Sequence, residues 1–377
     1  MKHNIKFYIE YFGLPILEYS EEVEESFIQS IRAQHYFIIT VIHDQEGNCL
    51  FIRDFNKNIG WEFPGGYVGE NESPELAAHR IAFDEAGLRI DQLMPICIVK
   101  NTFKFNNISI VHEGIAFAAL SRDRLKPFSP ELNFIYTKTC PHHSAYQNEA
   151  IFNSAQLYLV NKFYNLAFNE IECVRGNYFR NIFDKKIVKC LSKITSDKIF
   201  NKIVRLIKPN PNTILDISCG DSSNIVNLQN VYPNALCVGN DMNWESIKNI
   251  KKYNKNVIFT NFDMNYLPFK KKIDVIIFKN TLHHIKETSQ LELINNLAVV
   301  SNQLIIMDVL DPKQSSLLAK IWNFYYRKFL NDQGNTFLGL NNFHSLIEKS
   351  CKNKKIKFGE VSTIKGVYMY SSIEDLK

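Results

Sequence analysis

The second half of the chain alternates short apolar runs with mixed stretches. Thr213–Asp216, Ala235–Gly239, Val257–Thr260 and Ile273–Phe278 are apolar runs of strand length, and a fifth covers Gln303–Asp308. Stretches of helical character lie between them, the first starting at Ser223. Strands alternating with helices predict a parallel sheet. Ile356–Val361 and Val367–Tyr370 lie close enough in sequence to form an antiparallel end to it. Helices are expected between Asn177 and Ile207, stopped by Pro209-Asn210-Pro211.

The first half has a different rhythm. Tyr36–Ile42 and Cys49–Arg53 read as strands, as do Met94–Lys100 and Ile108–Leu120. Between the two pairs lies one helix, from Ser73 or Pro74 to Ala86. Ser73 is its cap, Pro74 suits its first turn and Gly87 its end. Ser154–Ala167 reads as a last helix. Residues 1–33 are expected to add a strand and an acidic helix, with Glu21, Glu22, Glu24 and Glu25 on its exposed side. The pattern divides into an extension (1–33), a first domain (34–168), a linker with leading helices (169–210) and a second domain (211–377).

Composition bounds the partners. The chain has 377 residues, 45% hydrophobic and 22% charged, enough for two separate cores. A net charge of +5 permits phosphate-bearing ligands without demanding nucleic acid. Lys251-Lys252, Lys270–Lys272 and Lys352–Lys355 read as solvated loop and helix ends, so nucleic acid is not the expected partner. The eight cysteines form no CxxC pair and no Cys/His ligand cluster. Cys219 and Cys237 read as small buried hydrophobes. A secretory h-region is not evident at the start, and no apolar run approaches the ~18 residues of a membrane span. A reducing cytoplasm is the expected location.

The candidate chemistry of the second half sits where the apolar runs end. The first run ends in Asp216, followed by a tight turn with Gly220. The second leads to Asp241, the third to Asp263-Met264, and the fourth to Asn280-Thr281-Leu282-His283-His284. Small residues in the turn let backbone N–H groups approach a ligand. An acid after the second strand can accept both hydroxyls of a ribose, a feature that an NAD-binding domain shares. The Asp263 and Asn280–His284 elements do not belong to that alternative.

Residues 175–377 thus resemble the class I S-adenosylmethionine-dependent methyltransferase family. The resemblance implies a Rossmann-like α/β domain with a seven-stranded, mostly parallel sheet, and S-adenosylmethionine as cofactor. It implies that Asp216 and the turn Ser218–Ser222, with Gly220, hold the methionine part. Asp241, with Met242 beside it, takes the ribose; Asp263 and the Met264 N–H read the adenine; Asn280 lines the cofactor. Ser218 and Ser222 stand at two positions that are often glycine in the family. His283 either deprotonates a hydroxyl acceptor or shapes the turn after the fourth strand. The aromatic stretch Trp322, Tyr325, Tyr326 and Arg327 either roofs the acceptor pocket or packs on the core. No Asn-Pro-Pro-Tyr sequence follows the fourth strand, so a small-molecule oxygen or carbon acceptor is expected rather than a nucleobase amino group.

In the first half, residues 61–88 read WEFPGGYVGENESPELAAHRIAFDEAGL. Gly66, Glu72, Arg80, Asp84-Glu85 and Gly87-Leu88 stand at the spacing of a Nudix box, and residues 34–160 resemble that family. The resemblance implies an α/β/α domain with a mixed sheet, a Mg2+ site and a diphosphate-bearing ligand such as a nucleoside diphosphate compound. Positions 81, 84 and 85 share one helix face. An active box carries acids at all three; here they are Ile81, Asp84 and Glu85. Glu85 and the Gly66 carbonyl are the leading metal ligands, with Asp84 a shortened third. Glu113, Glu131 or Glu149 stand as acids that compensate from elsewhere. Four readings remain open from sequence: a methyltransferase with a Nudix-like binding module, a bifunctional hydrolase and methyltransferase, a non-catalytic scaffold, and a protein that modifies RNA 5′ ends.

Overall fold

The computed structural model describes residues 2–31, 36–44, 49–52, 62–70, 72–121, 134–137, 186–220, 223–242, 257–265, 267, 269–315, 319–321 and 336–376. The chain divides into two compact units, with the main changeover between Cys173 and Val174.

The first unit is built on a seven-stranded mixed sheet. Its strands are β1 (Ile16–Glu22), β2 (Tyr36–His43), β3 (Cys49–Ile52), β4 (Gly65–Tyr67), β5 (Ile90–Phe105), β6 (Ile108–Ser121) and β7 (Phe134–Thr137). They run in the order β1-β5-β6-β2-β3-β7, with β4 paired to β2. β5 and β6 form a long antiparallel hairpin, whereas β1 on β5 and β2 on β6 are parallel. The hairpin arms run longer than the apolar pattern implied. Their outer ends carry the small core that helix α2 (Glu25–Ser30) makes by packing Ile28 and nearby Ile31 on Phe103.

Two features of the extension depart from expectation. Glu21 and Glu22 belong to β1, and only Glu25 lies within helix α2, with Glu24 as its N-cap. A further helix, α1 (Lys2–Phe7), continues into a π-helical turn at Tyr8–Phe12. Its aromatics are crowded into the run Phe7–Phe12, broken only by Ile9 and Glu10, and Ile5, Tyr8 and Phe12 fall at helical spacing. Phe7, Tyr8, Tyr11 and Phe12 are all buried. Tyr8 meets Phe117 of β6 edge-on at 6.1 Å, and its hydroxyl donates to the fully buried carboxylate of Glu75. Burial first, and then the Glu75 charge and hydrogen bond, hold the Tyr8 hydroxyl well above its ordinary pKa.

The second unit holds the seven-stranded, mostly parallel sheet. Its strands are β8 (Thr213–Asp216), β9 (Leu236–Asn240), β10 (Ile258–Thr260), β11 (Ile273–Lys279), β12 (Ser301–Val309), β13 (Lys354–Thr363) and β14 (Gly366–Asp375). The order is β10-β9-β8-β11-β12-β14-β13. β9, β8, β11 and β12 are mutually parallel, and β14 and β13 close the sheet antiparallel, as the pattern predicted. The central strands are buried on both faces (Ile214, Leu215, Ile276, Ile305 and Ile306 are inaccessible), which explains their continuous apolar runs. The described helices are α4 (Lys186–Leu206), α5 (Ser223–Val231), α6 (Glu287–Val299) and α7 (Leu340–Ser350). Cys219 and Cys237 are buried free thiols, and burial pushes Cys237 up to about 12. The expected last helix of the first half, Ser154–Ala167, lies outside the described residues.

Two stability predictions follow from buried polar groups. Tyr8→Phe leaves the Glu75 carboxylate one donor short and is expected to cost about 1–3 kcal/mol in urea unfolding. Lys365, in the β13–β14 turn, is 8% exposed, and burial lowers its ammonium to about 8 from 10.5. Between those values the unfolded chain binds more protons than the folded one, so stability from this residue rises with pH across that window. Lys365→Met is expected to flatten that rise. It should also raise stability at neutral pH by on the order of 2 kcal/mol, after allowance for solvent screening. Urea midpoints below and within the window measure both effects.

Candidate functional site

Strand order reverses between β8 and β11, so the carboxyl ends of these strands border a crevice. β8 ends there in Asp216, which is fully buried. The turn that follows is stitched to the end of β9. Cys219 N–H donates to the Asn240 carbonyl at 2.8 Å, and Asn240 Nδ2 donates to the Ile217 carbonyl at 3.1 Å. Gly220 N–H donates to Asp241 Oδ2 at 2.8 Å. Gly220 has φ 55°, and a Cβ built on it would meet no atom within 4 Å. The turn is thus left-handed at this point, with open space in front of it.

The remaining candidates sit on neighbouring strand ends. Met242 follows Asp241, and both are half-buried. Asp263 and Met264 follow β10 and are 4% and 6% exposed. Asn280 follows β11 in a left-handed conformation (φ 55°), exposes its side chain and donates its N–H to Met307 on β12 at 2.9 Å. Ser218 Oγ accepts from Thr281 Oγ1 at 2.8 Å, which ties the first turn to the loop after β11. Ser222 lies outside the described residues, as do Trp322, Tyr325, Tyr326 and Arg327.

His283 sits in a 3-10 turn, Leu282–His284, and is 5% exposed. Its partner is Asp308, a residue that the strand pattern alone did not single out. His283 Nδ1 lies 2.6 Å from Asp308 Oδ1, and His283 N–H donates to Asp308 Oδ2 at 2.8 Å. Asp308 ends the apolar part of β12 and is 3% exposed. The carboxylate therefore fixes both the backbone and the ring of His283. With Nδ1–H directed at the carboxylate, Nε2 is the nitrogen with a lone pair. Phe337 stacks on the ring at 4.8 Å and 11°. The single Thr336 hydroxyl proton is shared between the carbonyls of His283 and Ile285, 2.8 and 2.7 Å from Oγ1, and Thr336 N–H donates to the His283 carbonyl at 3.1 Å.

In the first unit, helix α3 (Pro74–Ala86) starts and stops where its signals said. Ser73 Oγ accepts the Leu76 N–H at 3.1 Å, and Gly87 (φ 65°) donates its N–H to Phe83 at 2.8 Å. Arg80 binds Glu72 through Nε at 2.8 Å and Nη2 at 2.9 Å, and Nη2 also reaches the Tyr67 carbonyl at 3.0 Å. Glu72 Oε2 additionally accepts the Gly69 N–H at 2.7 Å. Its hydrogen bonds raise the Arg80 pKa above the ordinary value. Asp84 Oδ2 stands 3.8 Å from Arg80 with its side chain 58% exposed. Glu85 Oε2 accepts the Gly65 N–H at 3.3 Å. Ile81 is buried, and its Cδ1 lies 3.1 Å from where a Cβ on Gly66 would stand. Glu113 lies 3.6 Å from Lys100; Glu131 and Glu149 lie outside the described residues.

Comparison with known proteins bears on the two domains. Residues 34–154 match the model of the NUDIX domain, and residues 211–355 match that of a methyltransferase domain. The chain joins a NUDIX domain to a methyltransferase domain. The RNA pyrophosphohydrolases of Pectobacterium atrosepticum and Tolumonas auensis are 31% and 32% identical to it over 65 residues. That is 17% of this chain in each case, and the match spans 36% and 37% of those relatives' length. Among solved structures, the plantazolicin methyltransferase BamL in complex with a triazolic desmethylPZN analog and SAH is 16% identical. It covers 51% of this chain and 90% of its own, with a TM-score of 0.40. The magnesium protoporphyrin IX methyltransferase ChlM from Synechocystis PCC 6803 with bound SAH is 18% identical. It covers 60% of this chain and 96% of its own, with a TM-score of 0.39. Among the described residues no helix of the NUDIX–methyltransferase chain is long and apolar enough to cross a membrane.

Asp241→Ala removes the carboxylate expected to meet the ribose and, with it, the acceptor of the Gly220 N–H. It is expected to weaken S-adenosylhomocysteine binding by about 2 kcal/mol, roughly 30-fold, in calorimetric titration.

Proposed function

We propose that the protein transfers a methyl group from S-adenosylmethionine to an oxygen or carbon of a small molecule, and that its NUDIX domain binds a diphosphate-bearing ligand. The observation that carries this reading is the turn after β8, held by Asp241 with open space in front of Gly220. The donor set fits the cofactor: three acids close successive strands at the crevice, and two of them, Asp216 and Asp263, are buried, so that hydroxyl, amino or ammonium groups of a bound cofactor would compensate them. Asp216 and the Ser218–Gly220 turn would hold the methionine part, Asp241 and Met242 the ribose side, Asp263 and Met264 the adenine, and Asn280 the wall opposite.

When bound, S-adenosylmethionine supplies an electrophilic methyl carbon on a sulfonium. The chain's part is to orient the acceptor and exclude water. For a hydroxyl acceptor, His283 takes the proton at Nε2 while Asp308 holds Nδ1–H and stabilises the imidazolium that forms. The loop after β11 supports this reading, because Asn280-Thr281-Leu282-His283 stands where amino-methylating enzymes of nucleobases carry Asn-Pro-Pro-Tyr. A second reading, in which His283 only shapes the turn, is favoured by its burial and its Phe337 stack.

The two readings separate in one experiment. The full chain is incubated with methyl-labelled S-adenosylmethionine and a panel of hydroxylated small molecules, and S-adenosylhomocysteine is quantified. Asp308→Asn and His283→Gln are expected to lower turnover on an oxygen acceptor by about 10²–10⁴-fold, with cofactor affinity within twofold of wild type. His283→Gln should also flatten the acid limb of the pH profile. Variants that lose stability but keep turnover and pH profile would assign His283 to the turn. Failure of the chain to bind S-adenosylhomocysteine would overturn the methyltransfer reading.

A further inference from the structure

The NUDIX fold implies a catalytic Mg2+ held by box carboxylates, and the residues here do not fit one. Mg2+ needs hard oxygen donors converging in near-octahedral geometry. Positions 81, 84 and 85 share the helix face that would supply them. At 81 the side chain is apolar and packs against Gly66, filling the space under β4 in which a carboxylate would meet a metal. The strand cannot retreat to widen that space, because Gly66 and Gly65 are laddered to Ile38 and Ile39 of β2. Glu85 faces a backbone N–H, Asp84 projects outward near Arg80, and both oxygens of Glu72 take donors from Arg80 and Gly69. Glu113, on β6, lies by Lys100. Among the described residues no group of three or more His, Cys, Asp or Glu side chains converges as metal ligands.

We propose that the NUDIX domain binds no catalytic divalent cation and does not hydrolyse pyrophosphate bonds, its loop–helix–loop being retained as a rigid frame closed by Ile81, Arg80 and backbone N–H groups. The Arg80–Glu72 pair is the centre of that frame. It joins α3 to the ends of β4 and to the following loop without a metal. The domain then acts on its ligand by binding alone. This conclusion stands on the first unit's own residues, so it survives or fails independently of the methyltransfer reading.

The test is Mn2+ titration of the full chain followed by electron paramagnetic resonance, which reads free and bound metal without any substrate. Wild type is expected to show no saturable binding up to millimolar Mn2+. Ile81→Glu, which restores the missing carboxylate, is expected to gain one bound Mn2+ per chain, and Glu85→Gln in that background to lose it. Saturable micromolar binding by wild type that Glu85→Gln abolishes would overturn the proposal. So would Mg2+-dependent phosphate release by wild type from dinucleotides or nucleoside diphosphate sugars in a coupled phosphatase assay. An Ile81→Glu protein with unchanged circular dichroism and no gain of Mn2+ would refute the assignment of Ile81 as the closing residue. The wild-type titration decides the main point even if that variant does not fold.

Discussion

One hydrogen bond organises the second unit's crevice: the Gly220 N–H on the Asp241 carboxylate. A parallel sheet places its strand ends side by side, but it leaves the loops above them free to wander. Here the loop after β8 is fastened to the end of β9 by that bond and by two more through Asn240. It is fastened to the loop after β11 through Ser218 and Thr281. The crevice therefore has walls whose relative positions are set by short polar contacts rather than by loop length. At the left-handed Gly220 this cage has open space in front of it.

Much of this architecture was legible in the sequence because buried parallel strands must be continuously apolar and must end abruptly. Asp216, Asp241, Asp263 and Asn280 could be placed by counting from those ends. Helix α3 was legible to the residue, since Ser73, Pro74 and Gly87 each act through local backbone geometry. Asp308 was not singled out. An acid at a strand end is common, and its importance comes from His283, which lies twenty-five residues earlier and reaches it only in three dimensions. The N-terminal helix escaped for a related reason. Its aromatics crowd into the six residues 7–12, too short a run to read as a helix by periodicity, and the helical turn buries Phe7, Tyr8, Tyr11 and Phe12 together.

The carboxylates of the two units differ in where they sit. In the first, Glu72 of the box is held by Arg80 and the Gly69 N–H, while Asp84 and Glu85 stand exposed on the surface. In the second, Asp216 and Asp263 are carried at the mouth of a crevice, where their burial acquires meaning from what enters it. The fold alone does not distinguish a frame from a reaction site; the direction in which carboxylates face does.

Thr336 gives this a mechanical side. Its hydroxyl spans two carbonyls of the His283 turn, and Phe337 lies flat on the imidazole. Residues 336–337 and the turn thus move together: a displacement of Thr336 takes a donor from the His283 carbonyl, leaves the Ile285 carbonyl to Gln290 Nε2 alone and draws Phe337 off the imidazole. Position of that segment and orientation of the histidine therefore cannot be tuned separately, and a substitution at either residue is felt at both.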